Sequence, residues 1–268
     1  MRVCTLGDLT LDISVRSSGP LAVEGDTDAE IRIAPGGQAA NVAAWGASLG
    51  ARAPCIAKRG ADTAGRIALE ELGRLGVDVV GPIEGRNGII CSLVSARGER
   101  SMASDRGAAR ALRADEIDVA WLDSCDHLFI SGYALLYEPA RGAAFRAVEL
   151  ARRTEAAISV DLASWSAIRA AGAQALRQTL IELEPDVVFA TENEEAEVGG
   201  PIVGAQRILK RGALGCSFGG DERPARPVQE IVDTTGAGDA LAAGWIVGGP
   251  ELALEAAARC VSRLGSMP

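Results

Sequence analysis

Short apolar runs of strand length alternate along this chain with longer, Ala-rich segments of helical period. Residues 3–6, 53–58, 127–130, 157–161 and 186–190 form the apolar runs; residues 37–49, 64–75, 138–153 and 167–183 form the helical segments. In the first of these helices, Val42, Trp45 and Leu49 recur near helical spacing. Parallel strands need a crossover, and a helix is the usual one, so this succession predicts a mostly parallel sheet covered on both faces. The expected class is α/β, a three-layer α/β/α sandwich.

Two segments break the alternation. Residues 27–34 set Ala29, Ile31 and Ile33 against Asp28, Glu30 and Arg32, and residues 88–104 alternate likewise around a turn at Gly98. Period-two patterns predict a half-exposed antiparallel sheet, a flap beside the main one. No repeat and no low-complexity linker divides the 268 residues. One domain, 1–268, is expected, with flap segments at about 11–35 and 87–105.

Composition narrows the partners. A net charge of −9 argues against nucleic acid, whose phosphates require a basic face, but leaves room for a local anion site. The six cysteines (Cys4, Cys55, Cys91, Cys125, Cys216 and Cys260) show no metal-ligand spacing, and His127 is the single histidine. They read as reduced, mostly buried residues rather than zinc ligands. The first residues enter a strand pattern without an apolar leader, and no apolar run reaches membrane-spanning length. A cytoplasmic protein without membrane partners is expected.

The segment Asp233-Thr234-Thr235-Gly236-Ala237-Gly238-Asp239-Ala240 follows a strand-like run at 228–232 and precedes a small-residue helix at 240–247. A glycine-rich turn feeding a helix aims several backbone N–H groups one way, with the helix dipole behind them: an anion site. A carboxylate at its edge would repel phosphate. Asp239 makes sense there if it accepts a proton from a hydroxyl attacking that phosphate. Two readings compete: a plain turn capped by Asp239, and a dinucleotide-binding turn, which Leu241 at the third small-residue position disfavours. Earlier, Pro35-Gly36-Gly37-Gln38-Ala39-Ala40-Asn41 joins the flap to a helix. Its glycines permit close approach of a ligand, and Asn41 offers both a donor and an acceptor to sugar hydroxyls. The plain alternative is a turn with an exposed Asn.

Residues 36–41 and 233–240 resemble the two signatures of the ribokinase/PfkB carbohydrate kinases, in the right order and at about the usual separation. Residues 7–12, 60–65, 131–133 and 210–215 support the resemblance, which covers essentially the whole chain. It implies a ribokinase-like fold whose lid is the small β-sheet. It also implies ATP- and Mg2+-dependent transfer of the γ-phosphate to a hydroxyl of a sugar or sugar-like molecule. A nucleoside acceptor, or a non-catalytic binding relative, are the alternatives.

By the same resemblance Asp239 is the base, and Gly236, Ala237 and Gly238 form the anion hole. Asp12, Gly37, Gln38 and Asn41 contact substrate, and Tyr133 stands where some members carry an acidic residue. Lys210, Gly212, Gly215 and Gly238 fall at the nucleotide. Asp233 and Thr234 match positions that often hold a monovalent cation such as K+. Aligning Glu195-Ala196 with the family's E-A assigns Glu195 to a magnesium-bound water and puts Glu192 where Asn is usual. Glu194 and Glu197 then read as a solvated helix start.

Two departures, a short 197–208 stretch and an end at Pro268 where many members continue, touch the expected adenine pocket. Arg100 and Arg106 read as exposed lid charges, with reach to an anionic substrate as the alternative. His127 reads as structural, and Trp45, Trp121, Trp165 and Trp245 as core. A homodimer through the lid is expected.

Overall fold

The structure, a computed structural model, describes residues 1–94 and 100–268; the side chains of Val94 and Arg100, and the Gly98 turn, lie outside the described residues. The strands are β1 (Val3–Leu6), β2 (Thr10–Ser17), β3 (Ala29–Gly36), β4 (Cys55–Ile56), β5 (Val79–Val80), β6 (Gly88–Val94), β7 (Arg100–Asp105), β8 (His127–Ser131), β9 (Ala157–Asp161), β10 (Val187–Thr191), β11 (Gln206–Lys210), β12 (Cys216–Phe218) and β13 (Asp221–Arg223). The α-helices are α1 (Gln38–Ser48), α2 (Thr63–Arg74), α3 (Gly132–Leu135), α4 (Ala140–Arg152), α5 (Trp165–Ala171), α6 (Ala173–Leu183), α7 (Glu192–Glu197) and α8 (Ala237–Val261).

Nine strands form the main sheet in the order β13-β12-β11-β10-β9-β8-β1-β4-β5, parallel from β11 to β5 and antiparallel at the β12 and β13 edge. Alternate side chains of one strand feed opposite layers. Leu128 and Ile130 pack with the alanines of α4, while Phe129 packs with Trp45 and α8. Ala143, Ala144, Ala147 and Ala151 are fully buried, so the small residues of α4 let its axis approach the sheet closely. Among the described residues no helix is long and apolar enough to cross a membrane.

The four-stranded second sheet runs β3-β2-β6-β7. Its register aligns Ile13 with Ile33 and Cys91, and Val15 with Ile31 and Leu93, on one face. The opposite face carries Asp12, Ile90 and Met102, which look onto the cleft described below.

Several elements differ from expectation. Only Cys55–Ile56 of 53–58 pairs as a strand, since Pro54 has no N–H to give a ladder. The helix expected over 167–183 is two, broken at Gly172, whose φ of 103° no helix accepts. Residues 228–232 form no strand; Val232 instead donates to the Val261 carbonyl at the end of α8. That helix starts at Ala237 rather than 240 and kinks at Gly248 and Gly249, just before Pro250. Trp165 is 44% exposed at a helix start under Arg169, not core.

Candidate active site

A cleft of about 530 Å³ opens at the carboxyl ends of the parallel strands, where open α/β sheets bind ligands. Asp8 follows β1, Tyr133 follows β8, Ser164 follows β9, and Thr191 and Lys210 end β10 and β11; all five line it. The small sheet closes one side through Asp12, Ile90 and Met102. The opposite end is walled by Gly212, Gly215, Ala225, Val228, Ile231 and by Leu254 and Ala257 of α8.

The glycine pair shapes the entry to α1. A Cβ on Gly36 would stand 2.1 Å from the Asp12 carboxylate, and one on Gly37, at φ 97°, would stand 2.3 Å from the Asp8 carbonyl oxygen. Only glycine lets the two acid-bearing segments fold back this tightly. Burial pushes the Asp12 carboxyl up to about 7, against the Thr10 hydroxyl that donates to it at 2.7 Å and with the Asp8 charge adding to the rise.

A raised acid pKa means the folded chain holds a proton that the unfolded chain has released. This penalty is absent below the unfolded value near pH 4 and complete above about pH 7. Asp12→Asn should therefore raise Tm by about 3 °C or more at pH 8, with the gain fading by pH 4–5 in a pH series of thermal melts.

Beside it, Arg106 forms an ion pair with the buried Asp8, whose other oxygen accepts from the Ser131 hydroxyl at 2.9 Å. The Arg106 guanidinium lies 3.5 Å from the Tyr133 ring centroid, and the Tyr133 hydroxyl accepts from the Ser164 N–H at 3.2 Å. Arg106 is thus no exposed lid charge: the acid beneath it and the aromatic face draw it into the cleft. No spacing rule links Asp8 to Arg106, 98 residues apart.

Gln38 and Asn41 both line the cleft, but their amides are largely engaged. Gln38 accepts from the Gly132 N–H at 3.1 Å and donates to the Leu162 carbonyl at 3.4 Å. Asn41 donates to an Asp239 carboxylate oxygen at 2.6 Å. Asp239 itself stands in the first turn of α8, with Gly236 as N-cap in the left-handed region at φ 78°. Gly236, Ala237, Gly238 and Asp239 all face the cleft, so this positive helix end opens onto it.

Lys210 reaches the same turn: a Cβ on Gly238 would lie 3.2 Å from its ammonium. Its partner is the fully buried Asp161, at 2.5 Å. Burial lowers the Lys210 pKa, yet the charges of Asp161, Glu194 and Asp239 outweigh it and hold the ammonium above its usual range. Burial raises Asp161 to about 7, opposed chiefly by Lys210. Asp161 is absent from the sequence-derived site because an acid ending a strand carries no motif of its own.

The acidic helix start falls one register earlier than the E-A alignment assigns. Thr191 ends β10 and forms a capping box with Glu194: the Glu194 N–H donates to the Thr191 hydroxyl at 3.3 Å, and the Thr191 N–H to the Glu194 carboxylate at 2.8 Å. Thr191 and Glu194 line the cleft. Glu195 lies outside it, held bidentately by Arg207 at 2.6 and 2.7 Å. Counting from the strand end, which sets the helix phase, would have found this; counting from Ala196 does not. No helix follows α7 before β11, so the shortened stretch is loop.

Thr234 lines the cleft, but Asp233 is buried behind it. One Asp233 oxygen accepts from the Thr235 N–H and hydroxyl at 2.9 and 2.6 Å, the other from the Gly265 N–H at 2.9 Å. His127 is buried against the Ser159 hydroxyl at 2.8 Å, and burial lowers its pKa to about 4.

Known kinases share this architecture. A model described as pfkB family carbohydrate kinase matches residues 1–267. An ATP-dependent ribose-1-phosphate kinase of Halopiger xanaduensis is 30% identical over 97% of this chain and 90% of its own length. Adenosine kinase from Sinorhizobium meliloti superposes with a TM-score of 0.87 at 22% identity, over 100% of this chain and 95% of that one. A putative ribokinase II from E. coli, solved in complex with ATP and Mg2+, gives 0.82 at 24% identity, over 99% and 94%. With a family model spanning nearly its whole length, this chain belongs to the pfkB family of carbohydrate kinases.

Proposed function

We propose that the enzyme transfers the γ-phosphate of ATP to a hydroxyl of a sugar or sugar-like acceptor held beneath the small sheet. One observation carries the proposal: Asp239, at the open N-terminus of α8, shares a single cleft with Asp12 and Lys210. Asp12 accepts a hydrogen bond from one acceptor hydroxyl, and Asp239 takes the proton of the hydroxyl that attacks. First-turn N–H groups of Gly236, Ala237 and Gly238 hold the phosphoryl oxygens, and Lys210 offsets their charge. The small sheet acts as a lid that excludes water. The ATP-dependent relative and the ATP- and Mg2+-bound neighbour support this assignment of the donor.

Magnesium fits the donor set. Glu194 and Thr191 present hard oxygen atoms to the cleft, and Glu194 would hold the ion through water beside the nucleotide. Bound there, the ion would neutralise charge on the phosphates. Asp233 serves on our reading as a clamp on Gly265, one oxygen accepting from the Thr235 N–H and hydroxyl and the other from the Gly265 N–H, and a monovalent cation at Asp233 and Thr234 stays part of the proposal.

A methyl at position 238 would point at the Lys210 ammonium, 3.2 Å away. Gly238→Ala should therefore raise KM for ATP about tenfold, equivalent to about 1.4 kcal/mol, with the acceptor KM little changed; steady-state kinetics with each substrate varied checks it.

ADP release across a panel of sugars, sugar phosphates and nucleosides tests the substrate class. Turnover with sugar-type acceptors is expected. Turnover with nucleosides alone would favour the second reading, for which the apolar Ile90 and Met102 roof speaks.

The outer lid face, with Ile31 and Ile33 exposed and Ile13, Val15, Cys91 and Leu93 aligned beside them, fits pairing with a second copy across a two-fold axis. Sedimentation at micromolar concentration should give a dimer that Ile31→Asp dissociates; a wild-type monomer would contradict this.

A further inference from the structure

Asn41 is bonded on both sides of its amide. Its nitrogen donates to Asp239 at 2.6 Å, and its oxygen accepts from the Ser266 hydroxyl at 3.0 Å. An ionised carboxylate only accepts, so Asp239 demands the nitrogen of the amide. The amide oxygen must then face Ser266, whose hydroxyl is a donor. Asn41 and Ser266 are both nearly fully buried, so water does not substitute readily for either partner.

Ser266 is itself immobilised. Its carbonyl accepts from the Trp45 indole N–H at 2.8 Å, and the preceding Gly265 N–H donates to Asp233 at 2.9 Å. Its Cβ would lie 2.5 Å from one added at Gly236, so it also packs on the turn that begins α8. Arg32 of the small sheet donates to the neighbouring Leu264 carbonyl at 2.5 Å.

We infer that Ser266 is a positioning residue: through Asn41 it fixes the orientation of the Asp239 carboxylate and stabilises its ionised form. Ser266 does not face the cleft, so its effect reaches the reaction through Asn41. The inference rests on the reading of Asp239 as base. A hydrogen bond donated to the charged form of an acid lowers its pKa, so weakening that bond raises it. With Ser266→Ala the Asn41 amide loses the group that holds its rotamer, and the bond to Asp239 loosens.

The test compares wild type, Ser266→Ala, Ser266→Cys and Asp239→Asn in kcat and in kcat/KM against pH, with melting curves as a check on folding. Ser266→Ala should lower kcat about 3- to 10-fold, the loss of one neutral hydrogen bond. It should move the acidic limb of kcat/KM to higher pH and leave KM for ATP unchanged. Ser266→Cys, which keeps the shape and a weak donor, should fall between; it also serves alone if the alanine variant does not fold. A purely structural role for Ser266 would lower Tm without moving the acidic limb, and that result overturns the inference. So does a wild-type profile in both variants while Asp239→Asn is inactive. An active Asp239→Asn would instead remove the base assignment beneath it.

Discussion

Asp239→Asn should fold as the wild type does, bind ATP and acceptor with near-native affinity, and lose about 10² to 10⁴ in kcat. The amide is isosteric, and its oxygen can still accept from Asn41 at the position the carboxylate holds. What it lacks is basicity toward the attacking hydroxyl. Because the variant keeps the binding surface, the loss should fall on kcat and leave both KM values nearly unchanged, the pattern of an interaction made chiefly in the transition state. Binding measured by calorimetry alongside turnover separates this from damage to the cleft. Wild-type turnover in this variant would rule out general-base catalysis by Asp239.

The second large effect concerns Lys210. Its ammonium is the charged partner of Asp161, which is fully buried 2.5 Å away. Lys210→Met leaves that carboxyl in the interior without compensation, at a cost of about 3 to 5 kcal/mol where it is ionised. The cost depends on pH. Asp161 already titrates near 7 because burial opposes its charge, and loss of the ammonium raises it further. The folded variant therefore keeps a proton that the unfolded chain releases above about pH 4, and its stability falls as pH rises through neutrality. Denaturant titrations should show a variant close to wild type at pH 4–5, destabilised by about 1.4 kcal/mol at pH 8 and by more as pH rises further. Adding Asp161→Asn should restore much of the stability but not ATP affinity. Equal destabilisation at both pH values would contradict the buried-pair account.

Much of the fold is legible in the sequence because period and burial speak there in the same terms. The run at residues 3–6 is a strand to the residue, and 157–161 likewise, short segments in which Val3, Cys4 and Leu6, and Ile158 and Val160, are buried. The helix ends mostly fall within one or two residues of expectation. Errors come where a backbone angle or a missing N–H decides. Gly172 at φ 103° splits a segment whose hydrophobic pattern continues across it, and 228–232 looks like a strand but pairs with none, Val232 donating to the Val261 carbonyl instead.

The cleft was legible where glycines mark it. Gly36, Gly37 and Gly236 stand where backbone or side chains pass too closely for a Cβ, and Gly238 lies against the Lys210 ammonium. The groups holding those segments in place were not. Asp8 with Arg106, Asp161 with Lys210, and Asn41 with Ser266 are 98, 49 and 225 residues apart. Each pair is joined only by the fold, and no local spacing announces it. Glu194 rather than Glu195 faces the cleft for a smaller reason, a one-residue difference of alignment within Glu192–Glu197.

Phosphorus-31 NMR of a mixture of ATP, magnesium, enzyme and an acceptor identified by ADP release follows the transfer of the phosphoryl group to the acceptor hydroxyl itself. A new phosphate-monoester resonance should grow in step with ADP, without inorganic phosphate, and at least about a hundredfold more slowly with Asp239→Asn. ADP accompanied only by inorganic phosphate, or no consumption of ATP with an acceptor shown to bind, would contradict it.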